Sequence, residues 1–571
     1  MDKFWDKLVG HSGSQYEDFE ELTSQLFRVE FESDNKIYKR NGTPDAGVEA
    51  FVQLQTGEQW CCQAKWFYNF GAVQVNQIAK SFNTALEQYP KMTKYVVCIP
   101  LNLSDVRLGK NTARKKWDDL VNSCKLKAKD KGREIEIILW DSSHLTNLIS
   151  NESNEGRKAY WFDEIDLTRH WFETKFKQAI AALGPRYSPE LSVELELFHT
   201  LAAAGAGKDF HSYWQKLDIK RWKQTNRDVI RILEQKGKYE EAQNLEYLFK
   251  DSYDTWIGLN PSPLQADVFK GLEKGLLSLS IFIDKLYDLR FENEKLAPSE
   301  RTTRQDFFEY CGAASSECGN RIQELTSLPT KAFEKKIIFL HGEAGKGKSH
   351  SLADLVKHRL NQGLPTILIP WQWFPNETQT PENAILKLLG FENKTWDNFL
   401  GALNSRGEQY SDRSLIILDA INEGSGPRLW QAHLNRFLQT FEPYPFVGLL
   451  ISCRNGIFFN EIRHELEGKV VLVEHPGFDG VYYQAINKYF DHYGIEEPTI
   501  PLLNPEFANP LFLKLFCKML KDQGKTTVPK GINSISEIFE SLIKHCNTAV
   551  SRMLGTRVED KVTQKTLKLL I

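Results

Sequence analysis

Two acids, an amide and a lysine lie close together in the stretch TPDAGVEAFVQLQTGEQWCCQAKW, residues 43–66. Asp45 and Glu49 lead into one apolar segment, and Gln63 and Lys65 end the next. If the segments are neighbouring strands, Gln63 and Lys65 share a face, because side chains alternate along a strand. Metal-dependent cleavage of a phosphodiester needs oxygen ligands for Mg²⁺ and a cation near the developing charge. We therefore predict Asp45, Glu49 and Gln63 as metal ligands and Lys65 as the catalytic cation, with either acid as the principal ligand.

The preceding sequence supplies a further carboxylate. Residues 16–28 carry apolar side chains at helical spacing, and Glu20 lies within this predicted helix. Glu20 could add a second acid to the catalytic group. The alternative is that the Gln-Ala-Lys tripeptide ends a solvated edge strand, but the helix before it and the helix and strands around it favour the nuclease interpretation.

A basic run follows at residues 107–133, with ten Lys and Arg against three Asp. Such a run is either a solvated helix face or a surface that binds the DNA backbone. Proximity to the predicted nuclease site favours DNA binding. The residues selected for this role are Arg114, Lys115, Lys116, Lys125 and Lys127.

A second chemical signal is GEAGKGKS, which fits GxxxxGK[ST] and follows an apolar strand pattern. Glycines let backbone N–H groups close around phosphates at the start of a helix. Lys348 is expected to reach the β- and γ-phosphates, and Ser349 to bind Mg²⁺. The predicted ATP-binding residues here are Gly342, Glu343, Ala344, Gly345, Lys346, Gly347, Lys348, Ser349 and His350.

Three later residues complete the predicted nucleotide site. Asp419 ends the run LIIL and is expected to hold Mg²⁺. Glu423 could orient or deprotonate water, or could simply cap a helix. Arg454, after the run LLIS, could sense the γ-phosphate or be a surface residue.

The elements that position these groups alternate between helix and strand. The order helix, strands, helix, strand, helix, strand up to residue 150 indicates an α/β domain. Near-continuous apolar strands at 366–371, 414–420, 446–452 and 470–474 indicate a parallel sheet covered on both faces. The predicted fold class is therefore α/β and multidomain. The segments are a nuclease-like domain (1–165), a helical connector (166–330), an NTPase core (331–480) and a helical region (481–571).

Length and composition agree with this division. A chain of 571 residues exceeds one hydrophobic core. It has no apolar run approaching the ~18 residues of a membrane span, and its nine cysteines form no CxxC pair. We expect a cytoplasmic protein without a membrane partner. The net charge of −3 argues against a chain coated in nucleic acid.

The motifs GEAGKGKS, LIILDAINEG, LISCR and NPLFL together resemble the STAND-type P-loop NTPases, the NACHT/NLR-like class of signalling switches. The resemblance implies ATP and Mg²⁺ as cofactors, with ATP acting as a switch. It also implies that Pro510 lies near the nucleotide and couples it to the following helices. We expect a C-terminal sensor, and therefore further sequence beyond residue 571.

The N-terminal set resembles the PD-(D/E)xK nuclease superfamily, close to the Mrr restriction endonucleases and to DNA endonuclease effectors of antiphage systems. Gln63 replaces the usual acid before the lysine, and the metal-binding acid of the family falls on Glu49.

The combined order resembles the antiviral STAND (Avs) proteins of bacteria, and GPRYSPEL at 184–191 fits as well. This implies a phage-protein trigger, the large terminase subunit in preference to the portal. It also implies a homotetramer that cleaves double-stranded DNA. Two other functions stay open: a signalling scaffold whose N-terminal domain binds without cleaving, and an AAA-type restriction motor.

Overall fold

The computed structural model describes most of the chain. The described residues are 4–11, 13–31, 36–41, 46–104, 112–162, 164–259, 262–264, 268–286, 298–374, 379–424, 426–497, 505–528, 543–544, 547–548, 550–551 and 557. Within these ranges, no helix has both the length and the apolar character needed to cross a membrane.

The N-terminal region is built on a five-stranded mixed sheet. Its elements are α1 (Gln15–Phe31), β1 (Lys36–Arg40), β2 (Ala50–Leu54), β3 (Gln59–Ala64), α2 (Ala72–Gln88), β4 (Met92–Cys98), α3 (Ala113–Asp130) and β5 (Glu136–Trp140). The strand order is β1-β2-β3-β4-β5, with β1, β2 and β3 antiparallel and β3, β4 and β5 parallel. α1 covers one face of the sheet, and α2 and α3 cover the other.

The sequence pattern predicted these helices and strands, with the exception of β1. Three of the five residues of β1 are charged, and in the described sheet it pairs only with β2. Edge strands commonly carry charged side chains that discourage pairing with another chain. Such a strand lacks the apolar alternation by which the others were recognised.

Helices fill the next part of the chain. They are α4 (Ser142–Ile149), α5 (Glu155–Trp161), α6 (Arg169–Leu183), α7 (Leu197–Ala203), α8 (Lys208–Lys216), α9 (Lys220–Gln235), α10 (Tyr239–Ile257), α11 (Val268–Leu286) and α12 (Pro298–Leu325). α9, α10, α11 and α12 pack on one another. The helical character predicted for residues 195–330 is therefore confirmed in the described part of the connector.

A second sheet follows, and its five strands are all parallel. The elements are α13 (Leu328–Lys335), β6 (Ile337–Gly342), α14 (Lys348–Asn361), β7 (Thr366–Pro370), α15 (Pro381–Leu389), α16 (Trp396–Gln409), β8 (Ser414–Asp419), α17 (Gly426–Gln439), β9 (Val447–Arg454), α18 (Ile457–Leu466) and β10 (Val471–Glu474). The strand order is β10-β6-β9-β8-β7. Every residue of β7 and β8 is buried, as expected for a sheet covered on both faces.

Two further helices, α19 (Tyr482–Tyr493) and α20 (Pro510–Asp522), pack together beside the second sheet. Helices from the N-terminal half of the chain also contact the second sheet and its helices. α5 and α1 pack on α16, and α6 packs on β7 and α14. The chain is therefore mixed α/β with one parallel sheet, while the four predicted segment boundaries remain predictions.

Candidate functional site

Three of the predicted nuclease residues meet at the carboxyl end of β3. Glu49 precedes β2, Gln63 lies on β3, and Lys65 follows it. Gln63 Nε2 donates to Glu49 Oε1 at 2.8 Å, and Lys65 Nζ lies 3.8 Å from the same oxygen. Glu49 is 7% exposed and Gln63 is fully buried. A carboxylate, an amide and an ammonium group therefore converge on one largely buried point.

Backbone contacts fix the positions of these side chains. Glu49 N donates to Cys62 O at 2.8 Å, and Lys65 N donates to Cys98 O at 2.9 Å. The turn before Glu49 requires glycine at Gly47, where φ is +82° and a Cβ atom would lie 2.3 Å from Ser81 O. Any other residue there would push the turn, and Glu49 with it, away from α2.

Tyr95 on β4 sets the orientation of the Gln63 amide. Its hydroxyl lies 3.2 Å from Gln63 Oε1 and 3.0 Å from Gly47 O, but one proton cannot serve both acceptors at once. With the amide turned by half a rotation, Tyr95 would donate to Gly47 and accept from Gln63 Nε2. Gln63 Oε1 would then face the Glu49 carboxylate. Two facing oxygens need a cation between them, so the cluster fits Mg²⁺ in this second orientation.

Arg40, at the end of β1, lies among carboxylates. It forms an ion pair with Glu21. Burial lowers the pKa of Arg40, and three negative charges oppose this shift, those of Glu408, Glu49 and Glu20. Glu20, half-buried on α1, and Glu49 thus both act electrostatically on Arg40.

The predicted ligand Asp45 lies outside the described residues, and its role remains a prediction. Among the described residues, those of this cluster included, no group of three His, Cys, Asp or Glu side chains is placed to hold a metal ion. The described residues of the N-terminal cluster thus offer one carboxylate and one amide to a metal ion. A further acid would be needed to complete the site.

The predicted DNA-binding residues lie on α3. Trp117, Leu120, Cys124 and Ala128 face the core, and the basic residues lie on the other faces of the helix. Because α3 follows the parallel strand β4, its first turn lies toward the end of the sheet that holds Lys65. The later pair of basic residues on α3, Lys125 and Lys127, lies toward the opposite end of the sheet. The basic surface therefore has one part near the candidate nuclease site and one part away from it.

The predicted phosphate loop joins the end of β6 to the start of α14. Lys348 Nζ donates to Gly342 O at 2.8 Å and to Glu343 O at 2.9 Å, so its ammonium group lies against the loop. Burial lowers the pKa of Lys348. Lys346 points elsewhere, with its Nζ 3.2 Å from Pro476 O. Of the two lysines, Lys348 is the one placed to bind a phosphate within the loop.

Asp419 ends β8, which is separated from β6 by β9. Its Oδ1 accepts a hydrogen bond of 2.6 Å from Ser452 Oγ, whereas its Oδ2 is buried with no hydrogen-bond partner among the described residues. Burial raises the pKa of Asp419, and the hydroxyls of Ser452 and Ser349 partly offset this rise. A buried carboxylate oxygen without a partner is costly, so a cation beside Ser349 fits this position.

Glu423 and Arg454 follow the same edge of the sheet. Glu423 Oε2 accepts a hydrogen bond of 3.1 Å from Arg186 Nη2. Arg454 lies opposite Gly342 in the ladder between β6 and β9, and its backbone N donates to Asn422 Oδ1 at 2.8 Å. Both predicted residues thus lie beside the phosphate loop, and Arg186 from the predicted connector joins them.

A cavity of about 310 Å³ opens over the phosphate loop. The loop residues from Ala344 to Ser349 line it, together with Arg186, Glu423, Arg454, His475 and Pro510. Pro510 begins α20, and Leu511 N donates to Gly345 O at 3.2 Å, which holds this helix against the loop. The volume is typical of small-ligand sites.

Residues 184–195, named here the lining segment, close one side of the cavity. Tyr187 and Ser192 hydroxyls both donate to Asp354 on α14, each at 2.9 Å. The predicted ATP-binding residue His350 also bonds this segment, with Nε2 2.9 Å from Ser188 O. The side chain of His350 thus fastens the lining segment to α14.

Sequence reasoning missed several residues of these sites. Arg186 lies in GPRYSPEL, which was noted for its resemblance but not as part of the nucleotide site, and no spacing pattern marks it. Tyr95 lies inside a strand interpreted as core. His475 follows β10 directly, and attention to polar residues just after each predicted strand would have found it.

His475 is buried beside the loop. Its Nδ1 accepts from Gly477 N at 3.0 Å, so its proton lies on Nε2, which is 2.9 Å from Ser351 Oγ. Burial lowers the pKa of His475 to about 3. This imidazole is therefore neutral and positions the start of α14.

Comparisons with protein-family models and with curated proteins give no match for this chain. The functional conclusion therefore depends on the geometry of the two clusters and on the motifs that form them.

Proposed function

We propose that this chain is an ATP-regulated, Mg²⁺-dependent DNA endonuclease of the antiviral STAND type. The observation that carries the proposal is the presence, in one chain, of two clusters suited to phosphate chemistry. One is the Glu49–Gln63–Lys65 group, and the other is the phosphate loop with the unpaired Asp419 oxygen beside it.

At the nucleotide site, Lys348 would exchange the Gly342 and Glu343 carbonyls for the β- and γ-phosphates of ATP. Ser349 and Asp419 would hold Mg²⁺, which neutralises phosphate charge when bound. Arg454 is available to the γ-phosphate, and Pro510 would transmit occupancy of the site to α20. ATP acts here as a switch that selects between states of the protein.

At the N-terminal site, Glu49 and the Gln63 amide oxygen would hold Mg²⁺ together with Asp45. The bound ion polarises the scissile phosphate and activates water. Lys65 stabilises the negative charge that develops during cleavage, and Glu20 supplies a further acid nearby. The basic residues of α3 bind the backbone of double-stranded DNA without reading its sequence.

The biological setting of the proposal follows from the resemblance stated above. The chain would act in the bacterial cytoplasm, with the large terminase subunit of a phage as its trigger. Triggered molecules would form a homotetramer that brings nuclease domains together, which allows both strands to be cut.

Incubation of the complete protein with plasmid, Mg²⁺, ATP and purified phage terminase subunit or portal tests the proposal. We expect nicked and linear plasmid only when the trigger, Mg²⁺ and ATP are all present. Retention of intact plasmid under every condition would contradict the nuclease function. ATP hydrolysis stimulated by plasmid alone would instead indicate a DNA motor.

A further inference from the structure

Arg186 pairs with the residue that was predicted to act on water. Arg186 Nη2 donates to Glu423 Oε2 at 3.1 Å, and the two side chains are 40% and 35% exposed. The guanidinium carbon also lies 6.0 Å from the centre of the Trp371 ring. An ion pair between two half-exposed side chains stabilises weakly, so a stronger anion can displace Glu423 from Arg186.

The location of Arg186 identifies which part of a nucleotide it would meet. Its side chain lines the cavity together with Lys348, Ser349 and Glu423. Arg186 therefore belongs to the charged end of the cavity, whereas the lining segment continues to an apolar end at Leu191 and Val193. The charged end is where the terminal phosphate would lie.

We propose that Arg186 exchanges Glu423 for the γ-phosphate when ATP binds, and that, beside Arg454, it is a residue by which this site distinguishes ATP from ADP. The proposal rests on the nucleotide-binding function proposed above. A guanidinium group matches two phosphate oxygens with a planar pair of N–H donors, and such charged hydrogen bonds are among the strongest in proteins. ADP has no γ-phosphate and leaves the Arg186–Glu423 pair intact.

The lining segment limits how this exchange occurs. Tyr187 and Ser192 anchor the segment to Asp354, and Ser188 O is held by His350. The backbone beside Arg186 is thus fixed to α14, and the side chain reaches the γ-phosphate by rotation alone. The same rotation releases the Glu423 carboxylate, which becomes free to orient water.

Binding of a non-hydrolysable ATP analogue and of ADP to the full chain, with Mg²⁺, tests this role. We expect Arg186→Gln to weaken analogue binding by roughly ten-fold or more, as for the loss of a charged hydrogen bond. ADP binding should change by less than about two-fold, since the β-phosphate contacts remain. Arg186→Lys should recover part of the preference for the analogue.

A double-mutant cycle adds a test that a structural role would not satisfy. Glu423→Gln removes the competitor of the γ-phosphate and should tighten analogue binding, but only where Arg186 is present. Arg169→Gln serves as the matched control, because Arg169 forms an exposed ion pair of 2.8 Å with Glu173 on α6. This control should leave both affinities unchanged.

The possible outcomes distinguish the γ-phosphate role of Arg186 from the nucleotide-binding function on which it rests. Equal weakening of analogue and ADP by Arg186→Gln, or no weakening of either, would overturn the γ-phosphate role while nucleotide binding itself stands. Failure of the unaltered protein to bind either nucleotide would instead overturn the nucleotide-binding function, and this inference with it. Thermal unfolding of each variant shows whether lost affinity reflects lost folding.

Discussion

At the scale of single residues, one amide is central to the metal binding proposed for the N-terminal cluster. Gln63 donates to Glu49 in the described orientation, and Tyr95 allows the opposite one. An acid in place of Gln63 would put a second buried negative charge beside Glu49, which is expensive without a bound metal. The amide therefore puts no second negative charge beside Glu49, and its oxygen is proposed to bind Mg²⁺ in the other orientation.

Tyr95→Phe tests the role of this orientation. Without the hydroxyl, nothing in the described contacts accepts a hydrogen bond from Gln63 Nε2 in the metal-binding orientation. We expect the Mg²⁺ concentration for half-maximal cleavage to rise about ten-fold or more, as for other residues that orient a ligand. Cleavage at saturating Mg²⁺ should stay close to normal. An unchanged Mg²⁺ titration would show that Tyr95 does not orient the ligand.

Lys65→Ala addresses the cation instead of the ligand. Its ammonium group lies 3.8 Å from Glu49 and is proposed to stabilise charge that develops only during cleavage. Loss of such a group typically slows the chemical step by on the order of 10²-fold or more. Added Mg²⁺ should not rescue this variant, and ATP binding should be normal. Full plasmid cleavage by Lys65→Ala would remove Lys65 from the mechanism.

His475 gives a prediction about pH. Its folded pKa of about 3 lies below the ordinary value of 6.5, so below pH 6.5 the unfolded chain binds a proton that the folded protein excludes. The stability that depends on neutral His475 is therefore fully present above pH 6.5, and it is lost as the pH falls from 6.5 toward 3. The loss is at most about 1.4 kcal/mol per pH unit.

Thermal unfolding from pH 8 to pH 5 measures this effect. The midpoint should fall more steeply below pH 6.5 for the unaltered protein than for His475→Gln. His464→Gln is the control, since His464 is 85% exposed on α18. Parallel curves for the unaltered protein and His475→Gln would mean that His475 does not titrate as its burial requires.

At the scale of elements, sequence pattern predicted most of both sheets because their strands are strongly apolar. It could also place Asp419 and Arg454 at one edge of a sheet, since both follow such strands. It could not place Arg186 there, because a contact between the lining segment and β8 depends on tertiary packing alone. β1 was missed for a related reason: its charged residues carry no periodic signal.

α3 provides a prediction at this scale. An 18-residue helix is about 27 Å long, so the two basic clusters of α3 are well separated. Lys115→Glu with Lys116→Glu, near the nuclease end, should weaken DNA binding for all sequences alike and make its salt dependence shallower. Lys125→Glu with Lys127→Glu changes the charge equally at the other end of α3, and we expect it to weaken DNA binding less. Equal effects of the two pairs would indicate general electrostatic attraction instead of a defined DNA path.

At the scale of the whole molecule, the two candidate sites belong to regions that touch directly. In the structure, Arg28 on α1 donates to Glu408 on α16 through two hydrogen bonds of 2.6 and 2.8 Å. Burial alone would raise the pKa of Glu408, but the charges of Arg28 and Arg157 lower it. α16 leads into β8, whose last residue is Asp419.

The packing around this ion pair is close. A Cβ atom at Gly156 on α5 would lie 2.5 Å from Gly401 Cα on α16. The two helices therefore approach so closely that only glycine fits at this crossing. Trp161 Nε1 donates to Ser405 Oγ at 2.8 Å in the same contact. Closely packed helices shift between discrete arrangements and do not deform continuously. A change at β8 can therefore reach α1, which carries Glu20.

Lys348→Ala and Arg28→Met together test this route. Lys348→Ala should abolish ATP binding and prevent cleavage, although every nuclease residue is intact. Arg28→Met removes the paired donor, leaves Arg157 to balance Glu408, and spares both sites. It should bind ATP normally. The factor by which ATP increases plasmid cleavage should fall at least about five-fold, which is the lower range of allosteric coupling. Lys94→Met is the control, since it removes a cation from an ion pair of 3.2 Å between β4 and β5. If Arg28→Met cleaves with the ATP dependence of the unaltered protein while Lys348→Ala is inactive, ATP acts through assembly and not through this contact.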